Sequence, residues 1–323
     1  LNVADVSAGC RRVIYFGTPT VAAEPLEALC AAGHQVVLVV TRPPKRRGRR
    51  QAPTPSPVHE AAAELGLEVS HDIQDALGVT ADVAVVVAYG EMIPEVVLQQ
   101  RRSVNLHFSL LPRWRGAAPV ERAILAGDTE TGVCLMEVAP ELDSGAIYRQ
   151  CFTAIGPTET AEDLRARLCD LGIEMLLEAL RDGFGDPEPQ SGQVTWANKI
   201  SSVEMCIDWN ASAEHVMRLV RVGGAWTTFR GRRLNVLAAQ LARAGNAEAG
   251  SDGSGEDSME LTESVARAGS VTLVKQQGRR FEVLVETGCG ILRLLRVQSE
   301  GRSATSAQDW ANGARLVVGD CFT

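Results

Sequence analysis

Apolar runs and helical patterns alternate along the first half of the chain. Arg12-Val13-Ile14-Tyr15-Phe16 has the unbroken apolar character of a short buried strand and stops at Gly17-Thr18-Pro19. Thr18 is placed to cap a helix, with Pro19 at the first helical position, where its missing N–H costs nothing. The stretch that follows is rich in Ala, Leu and Glu as far as Ala32, and Gly33 closes it. Gln35–Val40 is a second apolar strand, and Pro55-Ser56-Pro57 opens a helix that runs through Leu65 to Gly66. Residues 82–88 (DVAVVVA) are the most β-prone run and, being apolar throughout, are expected to be buried on both faces. Residues 103–109 give a further strand. Strand, helix and strand in repeated order predict an α/β domain, Rossmann-like with a mostly parallel sheet and ligands at the carboxyl ends of its strands.

A charged amphipathic helix (TAEDLRARLCDLGIEMLLEALRDG) ends at Gly183, and residues 184–193 are rich in Pro, Gly and Ser. Beyond them the texture changes. Short β-like runs cover 227–240, 270–276, 280–286 and 290–298, preceded by one helix at 212–221. This pattern predicts a small β-barrel, OB-fold-like. Residues 245–258 (GNAEAGSDGSGEDS) are acidic and of low complexity, as in a flexible insertion. The expected division is a first domain over 11–190, a linker over 191–205 and a C-terminal domain over 206–323.

Composition agrees with two domains: 323 residues, 45% hydrophobic and 22% charged, are enough for two cores. No apolar run reaches the roughly 18 residues of a bilayer span, and residues 1–9 lack a signal-peptide pattern. No membrane association is expected. The eight cysteines form no C-x-x-C pair and accompany no His cluster, so no metal is expected. Scattered thiols fit a reducing, cytoplasmic setting, and the chain is expected to be a monomer.

Charge changes the picture locally. Arg42, Lys45, Arg46, Arg47, Arg49 and Arg50 crowd into RPPKRRGRR; without these six the remainder carries −14, against −8 for the whole chain. Such a loop either contacts a polyanion or is simply solvated.

The chemistry is narrower than the fold. Gly17-Thr18-Pro19 lacks the further glycines of G-x-G-x-x-G, and no Walker-type lysine follows, which disfavours NAD, FAD and ATP. On a strand, Asn105 and His107 share a face while Leu106 enters the core. An amide donor beside an imidazole suits a carbonyl oxygen that becomes negative, although a satisfied polar pair is the plainer alternative. The loop Ser109-Leu110-Leu111-Pro112-Arg113-Trp114-Arg115-Gly116 offers fixed backbone groups to a planar heterocycle, or is an ordinary turn. Asp143, in Leu142-Asp143-Ser144-Gly145, orients the His107 imidazole, or takes a proton from an attacking amine, or merely forms a turn.

The run NLHFSLLPRWRGAAP with LDSG downstream resembles the folate-dependent formyltransferase signature. GTP after the first strand, AYGEMIP at 88–94, ANKI, IDW and GAW agree with it. The resemblance covers nearly the whole chain from Arg12. Glu141 and Ala146 depart from it around Asp143, as does Arg221-Val222-Gly223 before Ala225-Trp226.

The resemblance implies transfer of the formyl group of 10-formyltetrahydrofolate, as co-substrate, to the amino group of methionine on initiator tRNA. It implies Asn105, His107 and Asp143 as catalytic residues, Ser109, Leu110, Leu111 and Pro112 as folate-binding, and the six basic residues of 42–50 as tRNA-binding. Asn105 and protonated His107 stabilise the tetrahedral oxyanion, and Asp143 assists proton transfer. A folate-dependent enzyme acting on a small-molecule amine, or hydrolysing formyl-folate, shares that triad and needs no basic loop. A non-catalytic RNA-binding module needs the loop and barrel alone.

Overall fold

β1 (Arg12–Gly17) is buried from its second residue onward because it lies in the middle of a sheet covered on both faces. The computed structural model describes residues 10–46, 52–242, 267–275, 281–317 and 320–323. It divides into two units, Leu1–Lys199 and Ile200–Thr323.

In chain order the first unit comprises β1, α1 (Ala23–Ala31), β2 (Gln35–Val40), β3 (Lys45–Arg46), β4 (Pro53–Thr54), α2 (Pro57–Glu64) and β5 (Val69–Ser70). There follow β6 (Val83–Val87), α3 (Glu95–Leu98), β7 (Arg102–His107), α4 (Pro119–Ala126), β8 (Glu130–Glu137), β9 (Ile147–Ala154) and α5 (Ala161–Asp182). Seven of the strands form one sheet in the order β5-β2-β1-β6-β7-β8-β9. It is parallel from β5 through β7 and antiparallel at β8 and β9. This is the Rossmann-like, mostly parallel architecture that the alternating pattern predicts.

All five residues of β6 are buried, as a central strand of this kind requires. Ile14, Phe16, Leu38, Val40, Ala84 and Val86 form the core on one face of the sheet. Leu106 takes the opposite direction from its neighbours and meets α5, where a Cβ at Gly172 would lie 3.4 Å from it. α2 starts as expected, with Ser56 Oγ accepting from the His59 N–H, and α5 carries a Thr160–Asp163 capping box.

Thr18 does not cap. Its hydroxyl donates to the Tyr89 carbonyl at 3.0 Å, and a single 3-10 turn, Thr20–Ala22, leads into α1. Gly17 sits where the strand meets that turn, and a Cβ there would come within 2.9 Å of Ala22. The stretch at 184–193 is no free tether: Glu188 bridges Ile147, and farther on Ala197 bonds Arg115, so the chain through Ala197 is tied to the first unit.

The second unit has α6 (Ala213–Val222), β10 (Trp226–Phe229), β11 (Arg232–Leu241), β12 (Val271–Lys275), β13 (Phe281–Glu286), β14 (Ile291–Ser299), β15 (Thr305–Ser306) and α7 (Ala307–Ala314). The run at 227–240 is a hairpin and not one strand. Arg230 and Gly231, both at positive φ, make the two-residue turn that matches strand twist. The antiparallel sheet runs β10-β11-β14-β13-β12, with β15 on β14. Cys321 bridges Ser270 and Phe322 bridges Phe229, so the last residues link the two edges of the curled sheet. Trp209, Phe229, Trp310 and Phe322 pack inside with ring centroids 5.1–5.7 Å apart. The acidic run at 245–258 lies outside the described residues. Among the described residues no helix is long and apolar enough to cross a membrane.

Candidate active site

Strand alternation puts Asn105 and His107 on one face at the carboxyl end of β7. His107 Nε2 lies 2.9 Å from the Trp114 carbonyl. A carbonyl only accepts, so Nε2 carries a proton. Nδ1 then faces Asp143 Oδ2 at 3.6 Å, with the two side chains 7% and 12% exposed. That separation is too long for a full hydrogen bond but strongly attractive when the imidazole is protonated, because little water screens it. Asp143 Oδ2 also accepts from the Gly116 N–H at 2.8 Å. The Asn105 side-chain amide, by contrast, has no hydrogen-bond partner among the described residues and is only half-buried. The structure thus brings the His107 imidazole and the Asp143 carboxylate together, with Asn105 two residues back on the same face of β7.

The Asp143 loop joins β8 to β9 and is tightly seated. Asp143 itself is left-handed at φ 49°. A Cβ at Gly145 would stand 2.0 Å from the Glu137 carbonyl oxygen, so that position must be glycine for close approach.

The segment Ser109-Leu110-Leu111-Pro112 is close by in sequence but turned inward. Ser109 is fully buried and donates to the Arg113 carbonyl at 2.6 Å. Leu111 packs with Cys134, Met136 and Ile147. Leu110 lies over Gly132, where a Cβ would meet it at 2.4 Å. Backbone groups are therefore what this segment offers to a bound heterocycle. Burial pushes the Cys134 thiol up to about 11, with the Leu111 backbone opposing, so this thiol, opposite His107 on the neighbouring strand, stays protonated.

Several groups that sequence reasoning missed hold the frame. Asp128 accepts the Arg113 fork at 2.6 and 2.9 Å and the Trp114 indole N–H at 2.8 Å. Thr195 Oγ1 accepts from the Trp114 N–H at 2.9 Å. Gln190 bonds the Asp143 loop. None sits in a periodic pattern, and each lies 14 or more residues from its partner, so no local signal announces them.

Of the basic run, Arg42 pairs with Glu91 at 3.0 Å, while Lys45 and Arg46 lie exposed on β3. Arg47, Arg49 and Arg50 lie outside the described residues. Glu91 lies two residues after Tyr89, which packs edge-on to Phe16. Burial, helped by the Glu91 charge, pushes the Tyr89 phenol up to about 12. Among the described residues no group of three or more His, Cys, Asp or Glu is placed to hold a metal ion.

Comparison with known proteins bears on the family and the fold. The family model described as formyl transferase matches residues 11–180, and that of the formyl transferase C-terminal domain matches 199–315. A methionyl-tRNA formyltransferase of Jannaschia sp. is 39% identical over 325 residues, covering 95% of this chain and 98% of that protein. One from Cutibacterium acnes is 39% identical over 326 residues, with the same coverage. Among solved structures, HypX from Aquifex aeolicus superposes with a TM-score of 0.63 at 16% identity over 96% of this chain, which spans about half (49%) of HypX. An N-formyltransferase from Helicobacter canadensis has a TM-score of 0.57 at 14% identity, covering 89% of this chain and 99% of that one. At such identities these two speak for the fold alone.

Proposed function

The chain belongs to the formyl transferase family, carrying both its domains, and from that premise we propose that it transfers the formyl group of 10-formyltetrahydrofolate to the amino group of methionyl-initiator tRNA. The observation that carries the catalytic reading is the 3.6 Å pairing of His107 with Asp143 beside the uncommitted Asn105 amide. The neutral amine of the aminoacyl group attacks the formyl carbon, and the carbonyl oxygen becomes an oxyanion. Asn105 donates to it. So does His107 through Nδ1, the ring nitrogen without a full hydrogen bond, since Nε2 is committed to Trp114. Each such donor is typically worth about 100- to 1,000-fold in rate. The amine then loses a proton to Asp143, directly or through water. That proton reaches the folate N10 as the C–N10 bond breaks, leaving formyl-methionyl-tRNA and tetrahydrofolate.

The folate lies against the backbone of 109–112 at the end of the sheet, where Leu110 alone of the four retains side-chain exposure. The basic run from Arg42 to Arg50 meets the phosphates of the tRNA acceptor end, Arg42 exchanging its partly exposed Glu91 partner for phosphate. Eight cysteines, none in a disulfide among the described residues, support action in the cytoplasm.

The test is purified protein with formyl-folate and charged Met-tRNA, initiator against elongator, reading formyl-methionine. Selective formylation of the initiator is expected. Formylation of a nucleotide-sugar amine with none of Met-tRNA, or release of formate without transfer, overturns the substrate assignment.

A further inference from the structure

The Asp143 loop is gripped by a side chain from the Pro-, Gly- and Ser-rich stretch at 184–193. Gln190 Nε2 donates to the carbonyls of both Asp143 and Gly145, each at 2.8 Å. Its Oε1 accepts from Arg115 Nε at 3.0 Å and from a terminal guanidinium nitrogen at 2.7 Å. The amide is thereby oriented without ambiguity, since carbonyls only accept and a guanidinium only donates. Both of its hydrogens and its oxygen are used.

Arg115 occupies a critical place in the chain. The residue before it, Trp114, supplies the carbonyl that holds His107 Nε2; the residue after it, Gly116, supplies the N–H that holds Asp143 Oδ2. Gln190 closes the circuit from Arg115 back to the Asp143 backbone. The loop needs such a restraint: Asp143 is a non-glycine residue in the unfavourable left-handed region, and its neighbours Glu141 and Leu142 are exposed.

We propose that Gln190 is the positioning residue of this site, locking the Asp143 carboxylate against His107 by joining the Asp143 and Gly145 carbonyls to Arg115; this rests on the catalytic reading of Asp143 given above. The chemistry demands a carboxamide. A carboxylate at this position keeps the acceptor side towards Arg115 but turns an anionic oxygen on two carbonyl oxygens. The near-isosteric Gln190→Glu is therefore more harmful than its size suggests.

Steady-state formyl transfer is measured for Gln190→Ala, Gln190→Glu, Asp143→Asn and the double variant Asp143→Asn/Gln190→Ala. A displacement of about 1 Å at a reacting group costs on the order of 100-fold. Gln190→Ala is expected to lower kcat by about 10- to 100-fold while both KM values stay within about twofold, and Gln190→Glu to be at least as impaired. The double variant is expected to be no slower than Asp143→Asn, because Gln190 acts through Asp143. Should Gln190→Ala not fold, Gln190→Met, which keeps the volume and lacks the donors, carries the same expectations. The proposal is overturned if kcat of Gln190→Ala stays within about threefold of wild type, if the loss lies in KM, if Gln190→Glu is fully active, or if the two losses multiply. Wild-type kcat in Asp143→Asn removes the catalytic reading itself and this proposal with it. An impaired Asp143→Asn beside a normal Gln190→Ala removes the positioning role alone.

Discussion

Replacing Gly145 by alanine tests how finely the site is set. Gly145 is buried, and its φ lies outside the left-handed region, so alanine suffers no backbone penalty and the perturbation is purely steric. The added Cβ would stand 2.0 Å from the Glu137 carbonyl oxygen, and such contacts essentially never fall below 3.0 Å. The loop must then open by at least about 1 Å, and Asp143, two residues away, moves with it. Widening the 3.6 Å His107–Asp143 contact by about 1 Å weakens the pair by about 1 kcal/mol at an effective dielectric near 20. That alone is about fivefold in rate. Misorientation of the carboxylate and strain on the Gln190 bonds raise the expected loss of kcat to about 10- to 100-fold. Overpacking costs about 1–3 kcal/mol of stability, to be followed by thermal melting. Initial rates at saturating formyl-folate and Met-tRNA provide the assay. A Gly145→Ala enzyme with kcat within about threefold of wild type refutes the claim that the seating of this loop governs the acid.

Asn105→Ala is expected to lower kcat by about 100- to 1,000-fold with little change in KM; a loss confined to KM would make the amide a binding group. Converting Arg42, Lys45 and Arg46 together to Ala should flatten the slope of log(kcat/KM) for tRNA against log salt by about 2–3, at about 0.9 per phosphate contact, and leave the KM for formyl-folate untouched. An unchanged slope removes these three from the RNA contact. Burial holds the Cys134 and Cys169 thiols up at about 11 and about 12, so at pH 8 only about one in a thousand and one in ten thousand are ionised. Iodoacetamide should label exposed Cys289 well before either, with the modified peptides mapped by mass spectrometry. Labelling of Cys134 at the same rate as Cys289 contradicts the burial argument.

What the sequence determined by itself is local. Apolar runs gave β1, β2 and β6 nearly to the residue, because a strand buried on both faces must be apolar without interruption. Strand periodicity placed Asn105 and His107 on one face, and Ser56 and Gly33 marked helix ends through chemistry confined to a single turn. The antiparallel strands β8 and β9 and the helix α7 carry weaker patterns and were not legible. Neither was the true role of Thr18, whose hydroxyl found the Tyr89 carbonyl 71 residues away.

Tertiary structure alone decided what surrounds the reacting groups. Ser109 and Leu111 serve the interior; Asp128 and Thr195 hold Trp114 from 14 and 81 residues along the chain, and Gln190 holds the Asp143 loop from 47. A hydrogen bond depends on distance and direction in space, and neither leaves a trace in local composition. Residues joined only by the folded backbone cannot announce one another until that backbone is in place.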